Sequence, residues 1–285
     1  MFGIKDEYLN EFETQPWKRL RNRFIRLILS PYHLIRSICM ITGALVWIGA
    51  TVLFISAFIM FDSLPYFHQH PFKQVKASAI KQVQTHLANN PEAAKQYQWS
   101  SIDDINRELL YAIVMSEDGD FFNHQGIDYD ALINALGENI KRREWSFGAS
   151  TISQQTVKNI YFENGKTLYR KFKEILVTRR LEKALNKNEI LEIYLNIVEF
   201  GPDIYGIQQA SLYYFKLPPS ELNAAQGAFL AILMPSPRKY HFTVYQNKYL
   251  ANRHKRKYLR IMQDMRFKEY ISPTQYNKYR NWEFF

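Results

Sequence analysis

The chain has 285 residues, of which 47% are hydrophobic and 22% are charged. This length allows one membrane span with one substantial domain, or two small domains at most. Lys and Arg outnumber Asp and Glu by 37 to 27, and the net charge of +10 predicts attraction to nucleic acid, anionic lipid or phosphorylated substrates. The single cysteine, Cys39, excludes an intramolecular disulfide.

The first predicted element is an apolar run without any charge, residues 37–61. About 20 such residues cross a hydrocarbon core as a helix, so we predict a transmembrane helix here. A buried core helix is the alternative, whereas a cleaved signal peptide fits poorly because the run is long and starts far from Met1. Several Lys and Arg residues precede the run, and no Lys or Arg lies between residues 62 and 71. This bias predicts that residues 1–36 are a basic cytoplasmic segment and that the chain after Asp62 is exported.

The exported part is predicted to be helical. Residues 62–98 form a stalk or membrane-proximal segment with one short helix, and residues 99–285 form the main domain. A helix with a 3.6-residue period starts after Ser101 and ends near Glu117. Further helices are predicted at residues 129–142, 151–161, 168–186, 189–200 and 222–233. Alternating strand patterns are nearly absent, so we predict an all-α fold.

The first group of polar residues with catalytic potential follows that helix. Four carboxylates and a histidine lie within a dozen residues: Glu117, Asp118, Asp120, His124 and Asp128. Glu117 ends the helix and is a candidate general base. A calcium loop is the alternative, but Phe121 and Phe122 interrupt the acidic series that such a loop needs. His124 has no second histidine at zinc-ligand spacing, which favours a structural hydrogen bond.

The second group opens a predicted helix. Gly148 and Ser150 precede it, and free N–H groups at a helix start can receive an anion. Thr151, Gln155 and Lys158 share one polar, cationic face of this helix. An ordinary capped amphipathic helix is the alternative.

The third group is Arg170 and Glu174, one helical turn apart. They form either a surface ion pair or a site in which a guanidinium contacts phosphate and a second carboxylate faces a sugar or a metal.

These groups and a fourth motif together resemble the peptidoglycan glycosyltransferases of glycosyltransferase family 51, above all the monofunctional biosynthetic type. The residues that carry the resemblance are Glu117-Asp118-x-x-Phe121-x-x-His124-x-Gly126-x-Asp128, Gly148-x-Ser150-Thr151-Ile152-x-Gln154-Gln155-x-x-Lys158-Asn159, Arg170-Lys171-x-x-Glu174 and Lys187-x-x-Ile190-Leu191-Glu192-x-Tyr194-Leu195-Asn196. They follow one another in the family's order and spacing between about residues 99 and 240.

The resemblance implies a lysozyme-like helical domain, with a head and a membrane-facing jaw, that polymerises lipid II. Glu117 would be the general base for the acceptor's GlcNAc 4-hydroxyl. Glu174 would orient the donor or help to hold a divalent cation, Mg²⁺ or Mn²⁺, and no organic cofactor is implied. The donor site would contain Ser150, Thr151, Gln155, Lys158 and Arg170, and the first loop would be shaped by Asp118, Phe121 and His124.

The resemblance also implies partners and a location. The partners would be lipid II, the nascent glycan strand, membrane lipid and other cell-wall synthesis proteins, but not nucleic acid. The location would be the bacterial cytoplasmic (inner) membrane, with a single span, the N-terminus inside and the catalytic domain outside. The basic segment at residues 248–266 is then expected to be a helix near anionic lipid.

Two features depart from the family pattern or suggest other chemistry. Gln226 stands where the family usually has Glu, which puts the packing of that helix in question. Ser236 and Lys239 match a Ser-x-x-Lys pattern, but no Lys-Thr-Gly element follows, so we interpret them as part of a loop. A catalytically idle scaffold and a wall-cleaving lytic enzyme of similar fold remain the rival functions.

Overall fold

The computed structural model describes residues 16–142, 150–162, 165 and 167–285. Residues 1–15 of the predicted cytoplasmic segment and Gly148 of the second motif lie outside these ranges. The chain divides into two compact units, Met1–Leu64 and Pro65–Phe285.

The described part of the first unit contains one helix, α1 (Pro16–Asp62), with Pro31 inside it. Among the described residues it is the one helix long and apolar enough to span a membrane, and its apolar window is not buried, which removes the core-helix alternative. Two hydroxyl groups of the apolar run are satisfied within the helix, as lipid requires: Thr42 Oγ1 donates to the Cys39 carbonyl and Thr51 Oγ1 to the Trp47 carbonyl. The helix therefore fits a single-pass membrane anchor by length and composition.

The second unit is almost entirely helical in its described part, and the all-α prediction is confirmed. Its helices are α2 (Pro71–His86), α3 (Pro91–Gln96), α4 (Arg107–Glu117), α5 (Tyr129–Arg142), α6 (Ile152–Tyr161), α7 (Leu168–Ala184), α8 (Lys187–Ile197), α9 (Ile207–Phe215), α10 (Ala224–Leu233), α11 (Pro237–Tyr240), α12 (Asn252–Phe267) and α13 (Pro273–Tyr279). A 3₁₀ turn (Ile102–Asp104) and a π-helical turn (His241–Gln246) complete the helical elements.

The core is built on two helix groups. In the first, α4 and α10 pack so closely that a Cβ on Gly227 would lie 2.8 Å from the Leu109 carbonyl oxygen, and α12 packs on both helices. In the second, α6 packs against α7 and α8. Glu117 thus ends a helix of the first group, while Lys158 and Glu174 lie on helices of the second.

The segment predicted as a stalk contributes to the second unit, which begins at Pro65 rather than at residue 99. Helix α2 buries Val75, Ala79 and Val83 and packs against α8 and α6. The apolar stripe was visible in the sequence, but a stripe does not identify the helix that covers it. A membrane-proximal role for this segment stays a prediction.

A short antiparallel ribbon replaces the end of one predicted helix. Helix α8 stops at Ile197, and β1 (Glu199–Gly201) pairs with β2 (Ile204–Tyr205). The helix predicted up to Phe200 was therefore too long at this end. The turn at Pro202 and Asp203, whose φ is +58°, joins the two strands, and proline favours extended backbone in the residue before it.

Gln226 keeps the packing that its departure from the family pattern put in question. It is the third residue of α10, and its side-chain oxygen accepts from the Asn223 N–H (2.9 Å), while Asn223 Oδ1 accepts from the Gln226 N–H (3.1 Å). Gln and Glu serve equally in this capping box, so the lost charge does not disturb the start of the helix.

Candidate active site

Glu117 is the last residue of α4, and three side chains surround its carboxylate. Ser116 Oγ donates to Oε1 (3.1 Å), and Gln155 Nε2 donates to Oε2 (3.4 Å). Lys257 Nζ, on α12, lies 3.5 Å from Oε1. The Glu117 side chain keeps 14% of its surface exposed, so a substrate hydroxyl can still reach it.

Asp118 and His124 fix the loop that follows Glu117. The His124 Nε2 atom lies 3.0 Å from both Asp118 oxygens, and the Gly126 N–H donates to His124 Nδ1, which assigns the ring proton to Nε2. Asp118 Oδ2 also accepts from the Ile152 N–H (2.9 Å), at the start of α6. The carboxylate of Asp118 thus connects the first loop to the second motif, and the hydrogen-bonding role predicted for His124 fits this placement.

Phe121, Thr151 and Ser150 differ in how they are placed. Phe121 is fully buried, with Lys187 Nζ 4.4 Å from its ring centroid. Thr151 is also buried, because its hydroxyl caps α6 and donates to the Gly126 carbonyl (2.7 Å). Ser150 is exposed and accepts from Lys171 Nζ (3.2 Å). The buried Phe121 and Thr151 therefore support the site from the interior, while Ser150 lies at the protein surface. A direct substrate contact of any of the three stays a prediction.

Glu174 is a buried carboxylate held by two cations of its own helix. Only 2% of it is exposed; Lys171 Nζ lies 2.5 Å from Oε1, and Arg170 Nη1 lies 3.5 Å from Oε2. The burial of Glu174 does not fit a surface ion pair, which was one of the two arrangements predicted for Arg170 and Glu174. The Arg170 Nε atom is buried and has no hydrogen-bond partner among the described residues.

The two carboxylates lie on one continuous line of contacts. Gln155 Nε2 lies 3.4 Å from both Glu117 Oε2 and the Ser150 carbonyl. Lys171 Nζ then connects Ser150 Oγ to Glu174. The structure thus brings together both predicted catalytic residues and the exposed part of the second motif.

Lys158 belongs to the same cluster of charges. Burial lowers the pKa of Lys158, and the positive charges of Arg170 and Lys171 lower it further, whereas the Glu174 carboxylate raises it. The charge of Lys158 on α6 thus interacts with the charges of the third motif on α7, and these two helices pack against each other.

Two residues at the site were not singled out from the sequence. Tyr194 is fully buried and its hydroxyl donates to Gln155 Oε1 (3.0 Å), which turns the amide NH₂ towards Glu117. Burial raises the pKa of Tyr194, and the charges of Glu117 and Asp118 add to that rise. Lys257 also donates to the Ala231 carbonyl (3.0 Å). Tyr194 lies within the fourth motif, but no local signal distinguished Lys257 from its basic neighbours.

The side chains around Glu174 do not fit a divalent cation held by the protein. Among the described residues no three His, Cys, Asp or Glu side chains form a metal-ligand group. Both Glu174 oxygens already face cations. We therefore derive no step through a metal, and a dependence on Mg²⁺ or Mn²⁺ stays a prediction of the resemblance.

The profile of the transglycosylase family matches residues 83–266, more than half of the chain, so this chain belongs to the transglycosylase family. Several curated relatives are named biosynthetic peptidoglycan transglycosylase. One from Nitrosomonas eutropha is 42% identical over 55% of this chain and 65% of its own length. One from Nitrosospira multiformis is 36% identical over 66% of this chain and 82% of its own length. One from Pasteurella multocida is 40% identical over 65% of this chain and 73% of its own length. The chain spans about two thirds of the length of several such relatives.

We expect Gly126→Ala to destabilise the fold by about 2–4 kcal/mol. Gly126 has a φ of +86°, and an added Cβ would lie 2.8 Å from Thr178 Cγ2 and 2.9 Å from Glu182 Cγ. Thermal unfolding measures the change. Gly119→Ala is the matched control, because its Cβ would lie 3.8 Å from Met115 Cε and should change stability little. Equal melting temperatures of the two variants would show that a side chain at position 126 causes no strain.

We expect Lys257→Met to reduce kcat/KM by about tenfold, the loss of one contact to a charged group. Lys257 Nζ lies 3.5 Å from Glu117 Oε1 and donates to the Ala231 carbonyl, so Lys257 holds the carboxylate of α4 in place from α12. The measurement is the steady-state kcat/KM. Lys255→Met, an exposed change on the same helix, is the control. A wild-type kcat/KM in Lys257→Met would remove the positioning role.

Proposed function

We propose that this protein polymerises lipid II into glycan strands of the bacterial cell wall. The transfer joins the lipid-linked strand to the GlcNAc 4-hydroxyl of an acceptor lipid II and releases undecaprenyl pyrophosphate. The observation that carries this proposal is the continuous line of contacts from Glu117 through Gln155, Ser150 and Lys171 to Glu174. It supports a single site in which a base and a cationic cluster act on the same bond.

On the acceptor side, Glu117 takes the proton of the 4-hydroxyl as its oxygen attacks the anomeric carbon of the donor sugar. The new sugar–sugar bond forms as the bond from the anomeric carbon to the phosphate oxygen breaks, with inversion at that carbon. The anchored amide of Gln155 keeps the Glu117 carboxylate oriented towards the site. General-base assistance of this kind contributes roughly 10²–10⁴-fold.

On the donor side, the leaving pyrophosphate carries away the electron pair and gains negative charge. Positive charge for the leaving pyrophosphate comes from Lys158, Arg170 and Lys171. The Nε atom of Arg170, which has no hydrogen-bond partner in the described part of the chain, supports an anion-binding role. Glu174 neutralises part of the cluster and holds Arg170 and Lys171 in place before the substrate binds.

The anchor helix and several exposed apolar side chains support a proposal for the location. We propose a single span in the cytoplasmic membrane, with the N-terminus inside and the second unit outside. At the start of α7, the side chain of Leu168 is 91% exposed and that of Phe172 is 52% exposed. On α5, the side chain of Ile133 is 66% exposed. Apolar side chains this exposed are costly in water, which supports a membrane-facing jaw built from α5 and the start of α7.

The deciding experiment incubates the purified full chain with lipid II and separates the glycan products by length. Polymer that disappears with moenomycin, the family's inhibitor, is the expected result, and parallel reactions with Mg²⁺, Mn²⁺ or EDTA measure the cation requirement. An idle scaffold would make no glycan. A lytic enzyme would instead release fragments from isolated cell walls.

The orientation predicts the behaviour of reporter fusions. We expect alkaline phosphatase fused after Asp62 to be active, since the basic residues precede the span and none follows it closely. Activity in whole cells is the measurement, and a fusion before Ser37 is the control that should be inactive. The reverse pattern would overturn the topology.

A further inference from the structure

A cavity lies between the loop that follows Glu117 and the C-terminal half of α7. It has a volume of about 420 Å³ and is lined in part by Gln125, Tyr129, Arg179, Glu182 and Lys183. Neither Glu117 nor Glu174 borders it. Its volume lies within the range of ligand-binding pockets, so it can hold a group the size of a lipid head.

The lining of this cavity is cationic. Arg179 and Lys183 lie one turn apart on α7 and both are exposed. Glu182 is the nearby carboxylate, but it accepts from Ser153 and lies 2.7 Å from Lys187 Nζ, so its charge is already balanced. Arg179 Nη2 donates to Tyr129 Oη (2.6 Å), which uses one of five guanidinium donors and orients the rest.

The adjacent residue of α7 holds the segment with which the second unit begins. Arg180 Nη1 donates to the Pro65 carbonyl (3.1 Å), and its guanidinium lies 3.7 Å from the Tyr66 ring centroid. In the sequence, Pro65 is four residues after Phe61, the last residue of the apolar run. This turn of α7 therefore contacts the part of the second unit that follows the predicted span in the chain.

Apolar side chains border the same region. Phe172 shares one face of α7 with Arg179, and Ile133 shares one face of α5 with Tyr129. Both apolar side chains are more than half exposed. Cations beside exposed apolar groups are typical of proteins at the boundary between headgroups and acyl chains.

We propose that this cavity binds the headgroup of an anionic phospholipid from the surrounding bilayer. Arg179 and Lys183 contact the lipid phosphate, and Ile133 and Phe172 lie against its acyl chains. The proposal rests on the proposed membrane anchoring but does not depend on the transferase chemistry. It assigns the lipid a site that borders the first loop at His124 but does not include Glu117 or Glu174.

Native mass spectrometry of the full chain in detergent tests this proposal. Dioleoyl-phosphatidylglycerol and, separately, dioleoyl-phosphatidylcholine are titrated, and the bound fraction is measured. We expect Arg179→Gln with Lys183→Gln to weaken phosphatidylglycerol binding by about 25-fold, about fivefold for each cation. The control variant, Lys239→Gln with Lys278→Gln, removes the same charge from two other exposed positions and should retain wild-type binding.

Equal phosphatidylglycerol binding by the two double variants would overturn the proposal, whether both retain the lipid or both lose it. The exchange variant, Arg179→Lys with Lys183→Arg, keeps both charges and should keep binding even if the Gln variant fails to fold. Loss of lipid in the exchange variant would also count against the site. Lipid II polymerisation is measured in parallel: if it is absent in the wild type while the lipid still binds, only the proposed function fails.

Discussion

Glu117→Gln should reduce lipid II polymerisation by roughly 10²–10⁴-fold, the largest single effect that we expect in this protein. The amide cannot accept the proton of the acceptor hydroxyl, yet it has nearly the shape of the carboxylate and can keep the contacts with Gln155 and Ser116. The rate of glycan formation from lipid II is the measurement. Binding of the donor should change little, because the cationic cluster is untouched.

Two controls separate lost chemistry from lost structure. Glu221→Gln removes an exposed carboxylate and should leave polymerisation unchanged. The melting temperature of Glu117→Gln should stay close to that of the wild type, since Glu117 is partly exposed. Substantial glycan synthesis by a folded Glu117→Gln protein would remove the base assignment.

Lys158→Met should reduce kcat by roughly 10²–10³-fold, the cost of removing one preorganised group that stabilises developing charge. The charge of Lys158 interacts with those of Arg170, Lys171 and Glu174, where the leaving pyrophosphate is proposed to lie. Steady-state kinetics with lipid II measure the change. Lys239→Met, at an exposed position, is the matched control.

The lowered pKa of Lys158 adds a second, independent signature. Because burial lowers this pKa, the cation is lost at a lower pH than that of a free lysine, and wild-type activity should fall there on the alkaline side. The pH–activity profile of Lys158→Met should lack this fall on the alkaline side. The same burial penalises the charged form in the folded state, so the variant should be no less stable than the wild type below that pH. A variant with wild-type kcat would contradict the phosphate role.

Helices with clear caps and periodicity could be predicted closely. The prediction for residues 129–142 matches α5, and those for residues 151–161 and 222–233 differ from α6 and α10 by one and two residues at the start. Capping residues such as Thr151 and Asn223 mark these starts in the sequence. The end of α8 was missed because the chain passes from the helix almost directly into β1, and a two-stranded ribbon has too few residues to show an alternating pattern.

The candidate site was predictable only where its parts are local. Arg170 and Glu174 are one turn apart, so their contact follows from helix geometry. The approach of Lys257 to Glu117 depends on how α12 packs against α4, which side-chain spacing within one helix does not determine. The anchoring of Gln155 by Tyr194 likewise joins two helices, and it explains an orientation that the motif alone left open.

The carboxylate of Asp118 contacts the first loop through His124 and the start of α6 through the Ile152 N–H. One short side chain thus fastens the proposed general base, its neighbour in the chain, to the helix that carries Lys158. A substitution that displaces Asp118 is therefore expected to disturb the proposed acceptor side and the proposed donor side of the site together.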